Sequence, residues 1–453
     1  MMSMTALGIL GLLALLILLL ARMPVAISML SVGFIGTIAA NANQFLLLGM
    51  DADSAWSRGL RVAYSNLSGE TFEAASNYNL LVIPMFVLMG SLAGVSGMSN
   101  DLFAAAYRWM GHMRGGLASA TIAACAGFAA LSGSSLASAV TMGRVALPEM
   151  KRYNYSDSLA TGSVAAGGTL GFLIPPSGGM IIYAVLTEQS IGRLFMAGII
   201  PGIILTLLFI GAINLTVLRT PDAGPRGPRS ERKDRIASLC NAAPILGVVL
   251  VTIGGMYTGF FTPVEASAVG AFFTFVIAVF RRSLDFQAVK TVISQTLNAT
   301  ATVFLIIIGA FVFIPFMSLT EVPAQAVTLL TSLPIGDVGV LLVIIAIYII
   351  LGMFLESMAM LVLTIPVVIP IAIGLEWDLI WFGIIVVIVL EMGMISPPVG
   401  INVFIVKSIA PDVPMARIFK GIWPFWFAMA LMIVLLILFP QLALFLPQTL
   451  VGG

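Results

Sequence analysis

The chain has 453 residues, 60% of them hydrophobic and only 9% charged, with a formal net charge of +1. Soluble domains carry about 25% charged residues, so this composition excludes a soluble protein and marks a polytopic membrane protein whose apolar runs of roughly 20 residues are bilayer spans. The near-neutral balance implies no nucleic-acid partner, and a single histidine, His112, excludes a membrane zinc protease of the HExxH type.

The first run, "LGILGLLALLILLLA", has no basic residue before it and no small-residue cleavage site after it, so it reads as a span over 4–21 rather than a signal peptide. Further spans follow at 24–40 and 80–97, then less regular segments between 115 and 187, and a span at 194–218. The pattern then recurs, with spans at 240–258, 264–280 and 299–319, irregular segments between 338 and 410, and a span at 421–446. Cys125 and Cys240 lie in apolar segments without metal-ligand spacing and are expected to be small core residues.

The recurrence holds residue by residue. Gly171 pairs with Gly393, Pro175 and Pro176 with Pro397 and Pro398, Gly178 with Gly400, Ser135 with Ser357, and Pro148 with Pro370, every pair 222 positions apart. The chain therefore divides into a first repeat over 1–218 (spans 4–97, hairpin 115–150, broken helix 160–187, span 194–218), a basic linker over 219–235, and a second repeat over 236–453 (spans 240–319, hairpin 338–374, broken helix 379–410, span 421–446).

Basic residues set the sidedness. The linker "RTPDAGPRGPRSERKDR" is placed in the cytoplasm, and counting crossings outward from it collects Arg22, Arg108, Arg114, Lys151, Arg152, Arg281, Arg282, Lys290, Arg417 and Lys420 on the same side. The other side is mostly acidic, and the amino terminus falls there, in the periplasm. The count closes only if 115–150 enters from the cytoplasm and turns at "SGSS", while 338–374 enters from outside and turns at "LESMA". Each half then crosses five times, so the halves are inverted. The expected fold is all-α, with two inverted-topology repeats, re-entrant hairpins and discontinuous helices, the architecture of elevator-type secondary transporters with sites near the membrane midplane.

"GFLIPPSGG", residues 171–179, shows what the breaks are for. Pro175 and Pro176 lack amide donors and forbid continuous helix, and Gly178 and Gly179 let the chain turn. At membrane depth the freed carbonyls must be buried in protein or line a wet cavity, where a small cation can use them. The half-helix beginning near Gly179 offers amide donors and a positive dipole end, suited to a carboxylate. Ser132, Gly133, Ser134 and Ser135 supply oxygens at the first tip, and Glu356 and Ser357 occupy the equivalent tip beside "SPPVGIN" at 396–402. Two oxygen-rich cation sites flanking one anion site follow, with sodium expected because most ligands are neutral oxygens. Glu356 either binds or holds its tip by a hydrogen bond; Arg144 either snorkels to the interface or meets a substrate carboxylate; Asn402 is placed to donate to substrate; Glu265 and Glu391 are intramembrane acids without an assigned partner.

The strings "SGSSLASAVTMGRVALPEMKRYNY", "AAGGTLGFLIPPSGGMIIYAVLTEQSIGRLFMAGIIPG", "YTGFFTPVEASAVGAF" and "GMISPPVGINVFIVKSIAPDVP" closely resemble the large membrane subunit of tripartite ATP-independent periplasmic (TRAP) transporters, dicarboxylate-permease type. The resemblance covers essentially the whole chain. It implies a sodium-driven elevator transporter in the bacterial inner membrane, paired with a small four-helix membrane subunit and fed carboxylate-bearing organic anions, C4-dicarboxylates or similar, by a periplasmic binding protein. It also implies one sodium site at Ser132, Gly133, Ser134, Gly168 and Thr169 and a second at Glu356, Ser357, Gly393 and Ser396. Substrate would lie between them, against Ser134, Ser135, Pro176, Ser177, Gly178, Pro398, Gly400, Asn402 and Arg144, with the hairpins and broken helices moving against a scaffold of long spans.

Many relatives carry an acid where this sequence has Ser138, so that acid's role is absent here or met elsewhere. Some relatives carry the small subunit fused at the amino terminus; this chain opens on the large subunit's first span, so a separate small subunit is expected. The alternative is a stand-alone sodium- or proton-coupled anion elevator without a binding protein. No aspartate-rich diphosphate motif, GxSxG elbow or metal triad occurs, so no enzyme activity is expected.

Overall fold

The computed structural model describes residues 3–332 and 334–449, and every regular element among them is helical. Nine of the described helices are long and apolar enough to cross a bilayer. Contacts divide the chain into two units that do not follow the repeat boundary: Met1–Leu80, Asn298–Ile344 and Met358–Leu379 form one, and Leu81–Leu297, Ile345–Ser357 and Ile380–Gly453 form the other.

In the first unit, helices Met4–Leu20 and Val25–Leu47 pack against the later turns of Phe286–Leu319. Small residues set the spacing: a Cβ on Gly33 would lie 2.7 Å from the Val312 carbonyl oxygen, and one on Gly36 2.6 Å from the Phe316 ring. Close approach of this kind drives helix association where lipid removes the hydrophobic incentive. Phe286–Leu319 is longer than the expected span at 299–319, because its first turns are polar and carry no hydropathy signal.

The 25-residue helix Ala52–Ser76 falls where no element is expected from hydropathy. Asp51 caps it by accepting from the Ser54 amide at 3.0 Å. Its narrow buried face of Ala55, Gly59, Ala63 and Ala74 lies on Val25–Leu47, where a Cβ on Gly59 would come within 2.7 Å of the Ile38 carbonyl oxygen. An amphipathic helix with so few apolar residues escapes a search for spans.

The second unit holds both helix breaks. Asp157–Leu173 is buried at every residue from Leu159 to Leu173, enclosed by the hairpin arms Gly116–Ser132 and Ser135–Arg152 and by helix Met415–Leu438. Leu379–Met394 is likewise buried from Ile380 onward. Two expectations need correcting. Cys125 is buried, but Cys240 is exposed, on the outward face of Arg232–Tyr257. The span expected at 421–446 is Met415–Leu438, which stops because Pro440 cannot donate to a continued helix; Gln441–Thr449 starts afresh.

The Gly33 contact is with backbone, which cannot swing aside. Gly33→Val is therefore expected to destabilise by about 1–3 kcal/mol, the usual cost of overpacking. Thermal unfolding in detergent checks this; an unchanged midpoint would show that the helix pair yields freely.

Candidate functional site

At the first break, Pro175 and Pro176 interrupt the chain and Ser177 bridges the gap. Its hydroxyl donates to the Phe172 carbonyl and accepts from the Met180 amide at 3.4 Å, so this fully buried side chain caps Gly178–Leu186 with its own hydrogen bonds. The first hairpin closes over the break, where the Gly178 amide donates to the Gly133 carbonyl at 3.1 Å. Glycine is required at 133: φ is +58°, and a Cβ would stand 2.7 Å from the Pro176 carbonyl oxygen.

Beside that contact, Ser132 and Ser138 share a hydrogen bond at 2.9 Å, and Ser134 caps the returning arm through the Ala137 amide. Gly168 and Gly171 bring the broken helix against the tip, with Cβ positions 3.1 Å from the Ser135 oxygen and 2.6 Å from the Ser134 oxygen. Ser132, Gly133, Ser134, Ser135 and Gly168 are thus brought together. Thr169 is adjacent in sequence, but its hydroxyl donates to the Ala166 carbonyl of its own helix at 2.6 Å.

The second break repeats the docking and changes the chemistry. The Gly400 amide donates to the Met353 carbonyl of the second hairpin at 3.3 Å, and a Cβ on Gly393 would lie 2.7 Å from the Gly352 Cα. Ser396 donates to the Met392 carbonyl at 2.7 Å and accepts from the Trp426 ring nitrogen at 3.0 Å. Pro398 is exposed where its counterpart Pro176 is buried. The half-helix Ile401–Ile409 starts from Gly400 with no side-chain cap. One residue on, Asn402 is 0% exposed, and neither its Oδ1 nor its Nδ2 has a hydrogen-bond partner.

Glu391 connects the two tips. It is 1% exposed, and its Oε1 accepts from the Ser357 hydroxyl at 2.9 Å. Ser135 of the first hairpin and Glu356 lie near the same carboxylate. Oε2 has no hydrogen-bond partner, and no basic side chain pairs with Glu391 among the described residues. A buried acid without a basic partner is costly to keep, which makes Glu391 a candidate functional residue. The sequence marks Glu391 only as an intramembrane acid without an assigned partner, and the repeat adds a further signal: 222 positions before it stands Thr169, so one half presents a hydroxyl where the other presents an acid.

Other expected residues lie elsewhere. Arg144 is exposed, nine residues beyond Ser135 and so about 14 Å along the helix. Glu265 is not an unassigned intramembrane acid but an exposed helix cap: its carboxylate accepts from the Thr262 amide at 2.8 Å and the Thr262 hydroxyl at 2.9 Å, completing a capping box.

The chain matches the family model described as "Tripartite ATP-independent periplasmic transporter, DctM component" over residues 12–442. It is 34% identical over 384 residues to the C4-dicarboxylate TRAP transporter large permease protein DctM of Pseudomonas aeruginosa, covering 84% of this chain and 89% of that one. It is 31% identical over 437 residues to the sialic acid TRAP transporter large permease protein SiaM of Vibrio cholerae, covering 95% of this chain and 96% of that one. Among solved structures, the YdaH transporter of Alcanivorax borkumensis, reported to have an unusual topology, superposes with a TM-score of 0.60 at 17% identity, covering 86% of this chain and 90% of that one; the likeness is one of fold.

If Ser357 and Glu391 act as a pair, Ser357→Ala and Glu391→Gln must be non-additive. A double-mutant cycle read by thermal unfolding is expected to give a coupling of about 0.5–3 kcal/mol. Additive losses would mean that the hydrogen bond contributes nothing of its own.

Proposed function

This chain belongs to the DctM component family of tripartite ATP-independent periplasmic transporters, and from that premise we propose that it imports a carboxylate-bearing organic anion across the bacterial inner membrane, driven by a sodium gradient. Its partners in this reading are a small four-helix membrane subunit and a periplasmic binding protein that delivers the substrate, and its amino terminus is periplasmic. The observation that carries the reading is the set of buried polar atoms without partners at the second break, Glu391 Oε2 and both side-chain atoms of Asn402. Such groups cost about 1–3 kcal/mol each when left unmade, and they are retained where a ligand completes them.

The two orphaned groups call for opposite partners. Asn402 stands at the uncapped amino-terminal end of Ile401–Ile409, where free amides and the helix dipole favour an anion. The substrate carboxylate binds there, against Gly400 and Pro398, with Ser134 and Ser135 of the opposite tip completing the pocket. At the first break Ser177 already caps Gly178–Leu186, which leaves that end a supporting role beside Pro176. Arg144, exposed and far along its helix, is assigned to the interface rather than to the substrate.

Glu391 calls for a cation. Sodium at the second site is held by its free oxygen with Glu356, Ser357 and backbone oxygens near Gly393 and Ser396. The first site keeps Ser132, Gly133, Ser134 and Gly168, with Thr169 contributing through its backbone. Without a cation, Glu391 and Glu356 repel each other and any incoming anion; one sodium ion cancels half of that charge, the repulsion falls and the anion settles. That exchange couples sodium to substrate. It also supplies an acid at the first tip, where many relatives have one and this chain has Ser138. The tips, each hydrogen-bonded to its break, then move together in an elevator step.

The first test is thermal unfolding of the purified chain in sodium chloride against equimolar choline chloride. A bound ion at a hundredfold excess over its Kd stabilises by about 2.7 kcal/mol; the sodium gain should fall in Glu391→Gln by the second site's share, the first site's share remaining, and persist in full in Arg144→Gln. An equal midpoint in both salts would overturn sodium binding and turn attention to a proton at Glu391. In proteoliposomes, uptake should need the small subunit and the binding protein; uptake by this chain alone would favour a stand-alone transporter.

A further inference from the structure

A cavity of about 420 Å³ lies at the end of the long helix Ile191–Arg219. His112, Arg114 and Arg226 line it with Asn214, Val217 and Leu218, and no acid is among its lining residues. Both arginines are exposed, and neither forms an ion pair among the described residues. The Nδ1 atom of His112 is buried without a hydrogen-bond partner. Three polar groups thus surround one space, two of them unpaired cations and one an orphaned ring nitrogen.

The cavity is built by fixed backbone, not by loose loops. The Gly115 amide donates to the Gly224 carbonyl at 2.9 Å, and the Gly227 amide to the Gly111 carbonyl at 2.9 Å. The Tyr155 hydroxyl accepts from the Leu117 amide at 3.1 Å and donates to the Pro225 carbonyl at 3.0 Å. Gly115, at φ +68°, lets the turn press on Ile191–Arg219, where a Cβ would lie 2.8 Å from Ile213. The start of the basic linker is therefore strapped across the turn, and the positions of Arg114 and Arg226 follow from it.

The same helix carries an apolar ridge leading away from the cavity. Ile203, Leu207, Leu215 and Leu218 are 56%, 61%, 52% and 72% exposed, and Gly211, between them at the same helical spacing, has open space around it. From 203 to 218 the ridge rises about 22 Å, enough to cross one leaflet of a hydrocarbon core about 30 Å thick. A free anion would use the cations and leave the ridge idle. A lipid uses both.

We propose that this cavity binds the headgroup of an anionic phospholipid whose acyl chain lies along the Ile203–Leu218 ridge. Basic pockets at helix ends on the cytoplasmic side recognise such headgroups, each cation adding about fivefold in affinity. The proposal does not depend on the transported substrate.

The full chain in neutral detergent would be titrated with phosphatidylglycerol, with phosphatidylcholine of the same acyl chains, and with inorganic phosphate, reading retained lipid by native mass spectrometry and the unfolding midpoint in parallel. Phosphatidylglycerol is expected to bind at least tenfold more tightly than phosphatidylcholine. Arg114→Gln with Arg226→Gln should remove about 25-fold of that affinity, two factors of five, while the Lys pair retains most of it. Leu207→Asn should weaken the lipid and leave phosphate unaffected. Equal binding of the two lipids, an unchanged Gln pair, or a phosphate effect matching that of phosphatidylglycerol would each overturn the proposal.

Discussion

A helix interrupted at membrane depth releases amides and carbonyls that lipid cannot pair, at several kcal/mol apiece. Everything specific to this protein follows from accepting that cost twice, at Pro175–Pro176 and at Pro397–Pro398. Each hairpin tip answers it in the same way, by setting a carbonyl on the second amide after the prolines: Gly133 on Gly178, and Met353 on Gly400. The tips approach that closely because Gly168, Gly171 and Gly393 leave no Cβ in the way. A tip cannot leave its break without exposing those groups, so tip and broken helix are one mechanical piece.

Within this shared plan the halves have diverged chemically. The first break satisfies itself, since Ser177 spans it and its half-helix is capped. The second leaves its half-helix uncapped, buries Asn402 with no partner and sets Glu391 between Ser357 and Ser135. The first break's polar groups are met by the protein itself; the second leaves Glu391 Oε2 and both side-chain atoms of Asn402 unmet. Two repeats supply matching frames, and substitution within one of them leaves buried polar atoms without partners that the other does not have.

The linker between the repeats shows a comparable change of role. Its Pro and Gly content suits a tether, yet its first turns are hydrogen-bonded to Gly111, Gly115 and Tyr155. Arg226 is thereby placed beside the end of Ile191–Arg219.

Hydropathy and the 222-residue offset by themselves determined the class of the protein and picked out the prolines and glycines that interrupt its helices, because proline, glycine and long apolar runs constrain backbone locally. Ala52–Ser76 stayed hidden because its buried stripe is too narrow to register as apolar, and Glu265 looked like an intramembrane acid because capping depends on where a helix begins. Only the tertiary structure decided that Ser177 and Ser396 are occupied by the fold, that Arg144 is remote from the tips, and that Glu391 stands between serines 34 and 256 residues away in sequence. Whether a polar atom is paired depends on which distant segments fold against it, and that can be read only where they meet.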